Sequence, residues 1–432
     1  MKRLFTNAVV LTMAEGSSGP VSGGSLAVEN GLISHVGDTP QDTSSYDEVV
    51  DLGGKALLPG LVNTHGHAAM SLLRGYGDDL PLKTWLEEKM WPMEGRYGPE
   101  QGRWGAALAA LEMIKGGTTC FVDMYDHMDH VAGVVEESGL RAGLCRGAIG
   151  LGPEDERDAK LREAISFAEN WHGQAGGRIT AMMGPHAPYT CPPDFIERFV
   201  ESARDLGLPI HTHMSETEAE IQQNVEEYGV RPVEHLRRLG VFDGPALVAH
   251  AVHLTEEELQ TLASHDVKVA HNPGSNLKLG SGVAPVPEML RRGMRPSLGT
   301  DGAASNNNLD MLEEIRLAAL IHKGALQDPL AVPAETALRM GTSYGAECAF
   351  LGETTGTLEA GKSADFITID LDAAHLQPVH DVISNVVYSA FGSDVRDVYV
   401  QGEPLMRNGE CLTLDEEEVT YNARRAFEAI AG

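Results

Sequence analysis

Two histidines separated by one residue, His65 and His67, are the first residues in the sequence whose types and spacing suggest chemistry. On a β-strand, residues i and i+2 face the same side, so both imidazoles can reach one ion. His213 and Asp301 follow two later apolar runs and would arrive at the same edge from other strands. Three neutral imidazoles and one carboxylate suit a borderline divalent metal such as zinc, with a coordination position left for water. The pattern therefore predicts a metal site that activates water.

Histidines also stand at the ends of several other predicted strands. The alternative interpretation, that such residues are ordinary hydrogen-bonded polar groups, is reasonable for a single His-x-His motif. It becomes weak when six strand ends carry a potential metal ligand, five of them a histidine and the sixth Asp301, because the active sites of barrel enzymes lie at the carboxyl ends of the strands. The strand ends concerned carry His65 and His67, His186, His211 and His213, His250 and His253, His271, and Asp301.

These residues belong to a middle section, from about Gly60 to Gly356, in which short apolar runs alternate with amphipathic helical stretches. The alternation predicts a (β/α)₈ barrel of the TIM type. A doubly wound α/β sheet is the alternative, and the absence of a glycine-rich phosphate-binding turn after the first strand disfavours it. The predicted strands are 56–62, 119–124, 142–146, 179–183, 209–212, 246–249, 268–270 and 296–298. The predicted helices include 102–115, 159–171, 193–206, 218–228, 256–265 and 309–326.

The two ends of the chain differ from this middle section, because both consist of short strands punctuated by Gly, Asn, Asp and Pro. We expect them to combine into one small β-sandwich domain, with a helix over residues 416–431 closing the chain. The predicted domains are residues 1–58 and 357–432 for the sandwich and closing helix, and residues 59–356 for the barrel.

The charge of the chain restricts its partners. Lys and Arg number 33 and Asp and Glu number 63, which gives a formal net charge of −30. A surface this acidic repels phosphate backbones and anionic lipid, so no nucleic-acid or membrane partner is expected. No apolar run is long enough to span a bilayer, and no signal peptide is predicted. The five cysteines are odd in number and form no C-x-x-C pair, which disfavours a disulfide framework and predicts a cytoplasmic protein.

Three stretches resemble motifs of the amidohydrolase superfamily: LPGLVNTHGH at 58–67, SLGTDG at 297–302 and GTLEAGKSAD at 356–365. Four further stretches are similar to the branch that contains chlorohydrolases and aminopyrimidine or purine deaminases, and most similar to its 5-methylthioadenosine/S-adenosylhomocysteine deaminases. These are LLRG at 72–75, LKTWL at 82–86, WPME at 91–94 and HMSE at 213–216. The resemblance covers nearly the whole chain and implies a distorted barrel with a small β-sandwich.

The resemblance also implies a metal site. In the family a single zinc is bound by the strand-one pair, a strand-five His and the strand-eight Asp, which correspond here to His65, His67, His213 and Asp301. Relatives with two metals bridge them with a lysine from strand four, and the stretch 179–189 contains no Lys. One Zn²⁺ per chain is therefore expected, with Fe²⁺ or Mn²⁺ as substitutes. Relatives commonly associate, so a homo-oligomer is expected as well.

The reaction that the resemblance implies is hydrolytic deamination at C6 of an adenine ring. Glu216 resembles the family's proton shuttle to N1, and His250 resembles the strand-six His that orients the nucleophile. Asp301 would accept a proton from water in addition to binding the metal. The alternative interpretation of Glu216 is a solvated carboxylate at a helix start, because residues 215–218 look like a helix cap.

Further residues would select a purine nucleoside as the small-molecule substrate, either 5-methylthioadenosine, S-adenosylhomocysteine or adenosine. Glu94 matches the carboxylate that receives the ribose hydroxyls, and His186 would contact the sugar or the ring. Arg146, together with Arg157, is placed to meet a homocysteine carboxylate, although a strand-end Arg is usually part of a salt bridge. Trp85 would pack against the adenine or the thioether, with ordinary core packing as the alternative.

Two rival functions remain open at this stage. The first is another enzyme on the same scaffold, a guanine or aminotriazine deaminase or a chlorohydrolase. Glu94 and Arg146 disfavour it, because those substrates carry neither ribose nor carboxylate. The second is a non-catalytic scaffold protein, which the complete set of metal ligands disfavours.

Overall fold

The computed structural model describes residues 1–17 and 19–431, so Gly432 at the end of the predicted sandwich lies outside the described residues. The strands are β1 (Lys2–Val10), β2 (Val21–Glu29), β3 (Leu32–Asp38), β4 (Glu48–Asp51), β5 (Ala56–Pro59), β6 (Leu61–Gly66), β7 (Thr118–Tyr125), β8 (Arg141–Ala148), β9 (Ile179–Ala181), β10 (Gly184–Pro185), β11 (Ile210–Met214), β12 (Ala246–His250), β13 (Lys268–His271), β14 (Ser297–Leu298), β15 (Phe366–Ile369), β16 (Val395–Val400), β17 (Glu403–Arg407) and β18 (Glu410–Cys411).

The α-helices are α1 (Leu82–Thr84), α2 (Trp91–Glu94), α3 (Pro99–Lys115), α4 (Met128–Ser138), α5 (Glu154–Trp171), α6 (Gln174–Gly177), α7 (Pro193–Leu206), α8 (Glu218–Tyr228), α9 (Pro232–Arg238), α10 (Glu256–Ser264), α11 (Pro273–Lys278), α12 (Val286–Arg291), α13 (Ala303–Asn306), α14 (Met311–Leu326), α15 (Ala334–Met340), α16 (Ser343–Cys348), α17 (Val382–Tyr388) and α18 (Glu416–Ala431). A 3₁₀ segment, Ala68–Leu73, follows β6, and a π-helical segment, Trp85–Met90, joins α1 to α2.

The barrel consists of two parallel sheets, one running β6–β7–β8 and on to β9 and β10, the other running β11 to β14. They meet at one side through a parallel bridge between Met183 and Ile210. At the other side, Thr64 Oγ1 donates to the carbonyl oxygen of Leu298 at 2.9 Å, and the Asp301 amide donates to the carbonyl oxygen of His65 at 2.9 Å. Because β9 and β10 are consecutive segments of one barrel position, the predicted eight-position barrel is confirmed in a distorted form.

The first predicted barrel strand, 56–62, is wrong as a single element. Its first part, β5, pairs with β1 and β15 in the sheet built from the chain ends, and only β6 enters the barrel. The chain changes sheets at Gly60, where a Cβ would lie 2.0 Å from Thr119 Oγ1. A continuous apolar run therefore contains a crossing between two sheets, which the absence of a side chain at Gly60 permits beside Thr119.

Strands from both chain ends form one nine-stranded sheet, in the order β18–β17–β16–β15–β5–β1–β2–β3 with β4 paired to β1. Its core includes Phe366 stacked on Tyr399, with 4.5 Å between ring centroids, and Phe5 edge-on to both. A buried ion pair links this sheet to the barrel, since Arg141 Nε on β8 lies 2.9 Å from Asp365 Oδ2. The sheet thus supports the barrel away from the strand ends that carry the histidines.

Helices α7, α8 and α18 begin and end at the predicted residues. At the start of α8 the hydroxyl of Thr217 accepts a hydrogen bond from the Glu220 amide, so Thr217 is the N-cap and Glu216 lies outside the helix. At the end of α7, Gly207 takes the left-handed conformation, with φ of 68°. In the described part of the chain, no helix combines the length and apolar character that crossing a bilayer requires.

Candidate metal centre and active site

Four side chains from three different parts of the barrel converge on one point. His65 lies near the end of β6, His67 just beyond it, His213 on β11, and Asp301 three residues after β14. The Nε2 atoms of His65 and His67 lie 3.5 Å and 3.2 Å from Asp301 Oδ1. The metal-binding atoms of His65, His67 and His213 all lie within 4.8 Å of one another. The structure thus brings together all four ligands predicted from the sequence.

The hydrogen bonds of the three imidazoles test whether these residues fit a metal ion. His67 Nδ1 donates to the carbonyl oxygen of Met124 at 2.6 Å, and His213 Nδ1 donates to that of His186 at 2.8 Å. A carbonyl oxygen accepts only, so each ring carries a hydrogen on Nδ1, and in its neutral form it presents an unprotonated Nε2 to the common point. His65 Nε2 is fully buried and has no hydrogen-bond partner among the described residues. A buried ring nitrogen that has no hydrogen-bond partner and lies beside a carboxylate is free to coordinate a metal ion.

Burial sets the charge of the site. It lowers the pKa of His65 and of His213 well below the usual range, so both rings are neutral. Burial alone would raise the pKa of Asp301, but the neighbouring imidazoles of His65 and His67 outweigh it and hold that pKa well below its usual value. Burial alone would lower the pKa of His67, but its hydrogen bond to Asp301 and the charge of that carboxylate raise it to about 9, so zinc binding would displace a proton from this ring. With that proton released, three neutral imidazoles and one ionised carboxylate make a suitable donor set for zinc.

The orientation of Asp301 is held by neighbours that the sequence analysis missed. Its Oδ2 accepts from the hydroxyls of Ser275 and Ser305 at 2.7 Å and 2.8 Å, and its Oδ1 accepts from the Gly302 amide at 2.8 Å. Asp301 also has a φ of 62°, which is costly for a residue with a side chain. The serines lie on α11 and α13, so only the folded chain shows that they fix Oδ1 beside the imidazoles.

Glu216 and His250 form the second cluster of the site. Glu216 is 4% exposed, and its Oε2 lies 3.7 Å from His250 Nε2, while Ser281 Oγ donates to its Oε1 at 3.3 Å. His250 Nδ1 donates to Asn276 Oδ1 at 2.9 Å, which turns Nε2 towards Glu216. Burial raises the pKa of Glu216. The alternative interpretation of Glu216 as a solvated helix-start residue is therefore wrong.

A second buried carboxylate shapes the loop that carries Glu216. Glu220 accepts from the Ser215 amide at 2.8 Å through Oε1 and from the Glu216 amide at 2.7 Å through Oε2. These bonds hold Ser215 at a φ of 54°. The spacing from Thr217 to Glu220 is the sequence signature of a capping box, in which Glu220 would accept from the Thr217 amide, but in the structure Glu220 accepts from the two preceding amides instead.

The metal-ligand residues and the second cluster open into a cavity of about 460 Å³. On the floor are His67, His186, His213, Glu216, His250 and Asp301, and further out are Trp85, Glu94, Tyr125, Arg146, Lys160 and Tyr189. His65 does not line the cavity and lies beneath the floor. Of the residues selected from the sequence for substrate contacts, Trp85, Glu94, Arg146 and His186 thus reach the cavity.

Glu94 ends α2, directly after the π-helical segment, and faces the cavity. The Tyr125 hydroxyl donates to its Oε1 at 2.6 Å. Burial raises the pKa of Glu94. Its carboxylate therefore has a fixed position and keeps acceptor capacity for a hydroxyl group of a ligand.

The cations near the cavity mouth do not all lie where the sequence predicted them. Arg146 is buried, lines the cavity, and has its Nη2 2.9 Å from Glu163 Oε2 and 3.2 Å from Asp126 Oδ1. Arg157 is not among the lining residues and forms an ion pair with Asp194 at 3.2 Å. Lys160, three residues further along α5, lines the cavity instead. Lys160 was not predicted from the sequence, because its only signal is its place on the same helix as Arg157.

A model of the amidohydrolase family matches residues 56–405, which is most of the chain. The chain belongs to the amidohydrolase family. The match begins with β5 and ends within β17, so it includes every barrel strand and all four residues of the metal-ligand set. The resemblance inferred from the sequence motifs is thereby confirmed.

Similar proteins agree with this assignment. The 5-methylthioadenosine/S-adenosylhomocysteine deaminase of Halalkalibacterium halodurans is 52% identical over 406 residues, covering 93% of this chain and 92% of its own. The crystal structure of an adenosine deaminase from Xanthomonas campestris with bound zinc is 36% identical, with a TM-score of 0.93 over 99% of this chain and 98% of its own. An atrazine chlorohydrolase from Arthrobacter aurescens complexed with zinc is 26% identical, with a TM-score of 0.91 over 98% of this chain and 100% of its own.

Proposed function

We propose that this protein is a zinc-dependent deaminase that hydrolyses the C6–amino bond of the adenine ring in 5-methylthioadenosine and S-adenosylhomocysteine, releasing ammonia and the inosine analogue. The observation that carries the proposal is the composition of one cavity. Its floor combines a metal-ligand set with the Glu216–His250 pair, and its outer part carries Glu94 and Arg146. The names of the most similar relatives support the same reaction.

The metal centre would hold one zinc ion between His65, His67, His213 and Asp301, with Fe²⁺ or Mn²⁺ as substitutes. Bound zinc lowers the pKa of a coordinated water from about 15.7 to about 7, so that a nucleophile is available at neutral pH. The fourth strand position supports a single ion. Relatives with two metal ions bridge them with a lysine from this strand, whereas residues 179–189 here contain no Lys and His186 stands at the strand end.

The residues of the chain then supply binding, orientation and proton transfer. Asp301, ionised and held by two serine hydroxyls, accepts a proton from the attacking water. His250 Nε2 orients that water towards C6. Glu216 donates a proton to N1 of the ring as the oxygen adds to C6, and the buried setting that raises its pKa favours the protonated form needed for this.

The second half of the reaction restores the ring. The proton accepted by Asp301 passes to the departing nitrogen, the bond from C6 to that nitrogen breaks, and ammonia leaves. The remaining proton of the hydroxyl group at C6 passes to Glu216, which restores its protonated form, while the product keeps the hydrogen on N1. Water is thus consumed and ammonia released, with no change in oxidation state.

The outer cavity would select the nucleoside. Glu94, fixed by Tyr125, would accept hydrogen bonds from the ribose hydroxyls, and His186, which lines the same cavity, would contact the sugar or the ring. Trp85 packs against the purine or the thioether. Arg146 and Lys160 attract the carboxylate of the homocysteine moiety, because both line the same cavity. Arg157 has no part in this arrangement.

The rival functions fit the cavity less well. A guanine or aminotriazine deaminase or a chlorohydrolase has no use for a ribose-binding carboxylate and a carboxylate-binding arginine. A non-catalytic scaffold would not need a buried, unpartnered imidazole nitrogen beside an ionised aspartate. The shared fold of the chlorohydrolase, at 26% identity, does not favour either rival.

A substrate panel tests the proposal. The protein is incubated with 5-methylthioadenosine, S-adenosylhomocysteine, adenosine, guanine and a chlorotriazine. Turnover is followed by the adenine-to-hypoxanthine absorbance change for the three nucleosides, by ammonia release for guanine and by chloride release for the chlorotriazine. We expect turnover of the purine nucleosides, loss of activity after chelation, and recovery with zinc. Faster turnover of guanine or the chlorotriazine than of any nucleoside would refute the proposed substrate class.

The proposal extends to the setting of the enzyme. A homo-oligomer and a cytoplasmic location remain predictions from the sequence, and light scattering after size exclusion and cell fractionation would test them. Nucleic acid and membranes are not expected as partners, because the net charge is −30.

A further inference from the structure

His211 is an imidazole inside the barrel that the proposed reaction does not use. It lies on β11 two residues before His213, and its exposed fraction is 0%. Barrel interiors are normally filled by branched apolar side chains, and a buried polar group there normally requires a hydrogen-bond partner. Both ring nitrogens of His211 meet this requirement: Nδ1 lies 3.0 Å from the carbonyl oxygen of Leu247, and Nε2 lies 2.9 Å from His65 Nδ1.

The partners determine where the protons lie. The carbonyl oxygen of Leu247 can only accept, so His211 Nδ1 carries the hydrogen. In a neutral ring Nε2 is then an acceptor, and His65 Nδ1 must donate to it. His65 Nε2 is consequently unprotonated, buried, and 3.5 Å from Asp301 Oδ1. The two hydrogen bonds, from His211 to Leu247 and from His65 to His211, therefore leave the lone pair of His65 Nε2 directed towards the other metal ligands.

His65 needs such a relay because of its place in the barrel. His67 and His213 donate directly to the backbone carbonyls of Met124 and His186. Leu247 lies on β12, and the sheet neighbours of β12 are β11 and β13, so β6 is on a different part of the barrel wall. An imidazole on β11 spans the interior between the two.

We propose that His211 is a positioning residue that holds His65 in the tautomer and orientation presenting Nε2 to the metal ion, and thereby raises the affinity of the site. The inference rests on the zinc site of the proposed function. Outer partners of metal-bound histidines typically change metal affinity by about 10- to 100-fold when removed. Side-chain packing alone predicts no such effect.

The first experiment measures zinc affinity in the metal-free protein by competition with a chelator. His211→Phe retains the ring shape and removes the acceptor, so zinc binding should weaken by about 10- to 100-fold. His211→Gln places an amide oxygen near the position of Nε2 and should restore affinity to within a few-fold of wild type. The matched control is His271→Phe, because His271 is a buried barrel histidine on β13 whose ring nitrogens have no partner among the described residues.

The results separate the inference from the proposed function. If wild-type protein binds zinc and His211→Phe binds it equally well, the role of His211 is refuted while the zinc site stands. Equal weakening by His271→Phe would show that any change of barrel packing has the same effect, which also refutes it. If the wild type binds no zinc, the proposed metal site itself fails, and the inference with it.

A second measurement needs no variant and covers the case in which His211→Phe does not fold. Nitrogen-15 NMR of the wild-type protein loaded with zinc reports the protonation of each ring nitrogen. We expect a hydrogen on Nδ1 of both His65 and His211, with His65 bound to zinc through Nε2. A hydrogen on His211 Nε2, or zinc bound to His65 Nδ1, would overturn the inference.

Discussion

Replacing Arg146 with alanine should separate the two proposed substrates. Arg146 lines the cavity, whereas its ion-pair partners Asp126 and Glu163 have side chains that are 56% and 58% exposed. Pairs with such exposed partners contribute little, so a substrate carboxylate can displace them. S-adenosylhomocysteine carries that carboxylate and 5-methylthioadenosine does not. Arg146→Ala should therefore impair turnover of the first and leave the second nearly unchanged.

The size of the effect follows from the contact that is lost. A charge-assisted hydrogen bond contributes about 1.5–3 kcal/mol. Since about 1.4 kcal/mol corresponds to a tenfold change, kcat/KM for S-adenosylhomocysteine should fall by about one to two factors of ten. The two carboxylates left without their cation are both more than half exposed, so their repulsion of the substrate adds less than about 1 kcal/mol.

The assay is kcat/KM for both substrates on three proteins: wild type, Arg146→Ala and Arg157→Ala. Arg157 is the matched control, because it has the same charge, lies on α5 near the cavity mouth, and pairs with Asp194 instead of lining the cavity. We expect Arg157→Ala to change neither substrate. Equal losses of kcat/KM on both substrates for Arg146→Ala would mean that Arg146 is structural. A loss of kcat/KM for S-adenosylhomocysteine alone in Arg157→Ala would show that Arg157, and not Arg146, contacts the substrate carboxylate.

Three further changes test the rest of the site and the fold. Glu216→Gln keeps the shape but removes the shuttled proton, so kcat should fall by about 10² or more while zinc content, measured by elemental analysis, stays near that of wild type. Asp301→Asn replaces a good ligand and base by a poor one, and both the zinc content, expected at about one ion per wild-type chain, and kcat should drop sharply. Arg141→Ala leaves Asp365 buried without its cation, which should lower the free energy of unfolding, measured by urea titration, by about 3–5 kcal/mol. The control is the same change at the more exposed Arg103, which should lower it by at most about 1 kcal/mol.

Each of these changes has a result that contradicts the reasoning. Near wild-type turnover in Glu216→Gln would require another proton donor to N1. Two tightly bound metal ions per wild-type chain, or full activity after complete chelation, would contradict the single-zinc site. A small loss of stability in Arg141→Ala would mean that the link between the sheet and the barrel lies elsewhere.

Much of the fold could be predicted because its causes are local. Apolar runs bounded by turn residues placed the barrel strands except the first, and amphipathic spacing placed α7, α8 and α18 at their observed bounds. The short motif from His65 to His67 predicted two metal ligands, because neighbouring positions in extended chain have a known geometry. The rule that barrel strands end at one face then predicted that His213 and Asp301 would join them.

The chain by itself thus determined the type of barrel and the chemistry at its floor, whereas side-chain partners distant in sequence were decided only by the tertiary structure. Glu216 could have been a solvated helix-start residue until its burial beside His250 was known. Whether Arg157 or Lys160 reaches the cavity depends on how α5 lies across the barrel mouth. The bond between His65 and His211 joins residues 146 positions apart. Strand and helix periodicity is a property of local backbone geometry, but burial, orientation and hydrogen-bond partners are set when distant elements pack, and no spacing in the sequence encodes those distances.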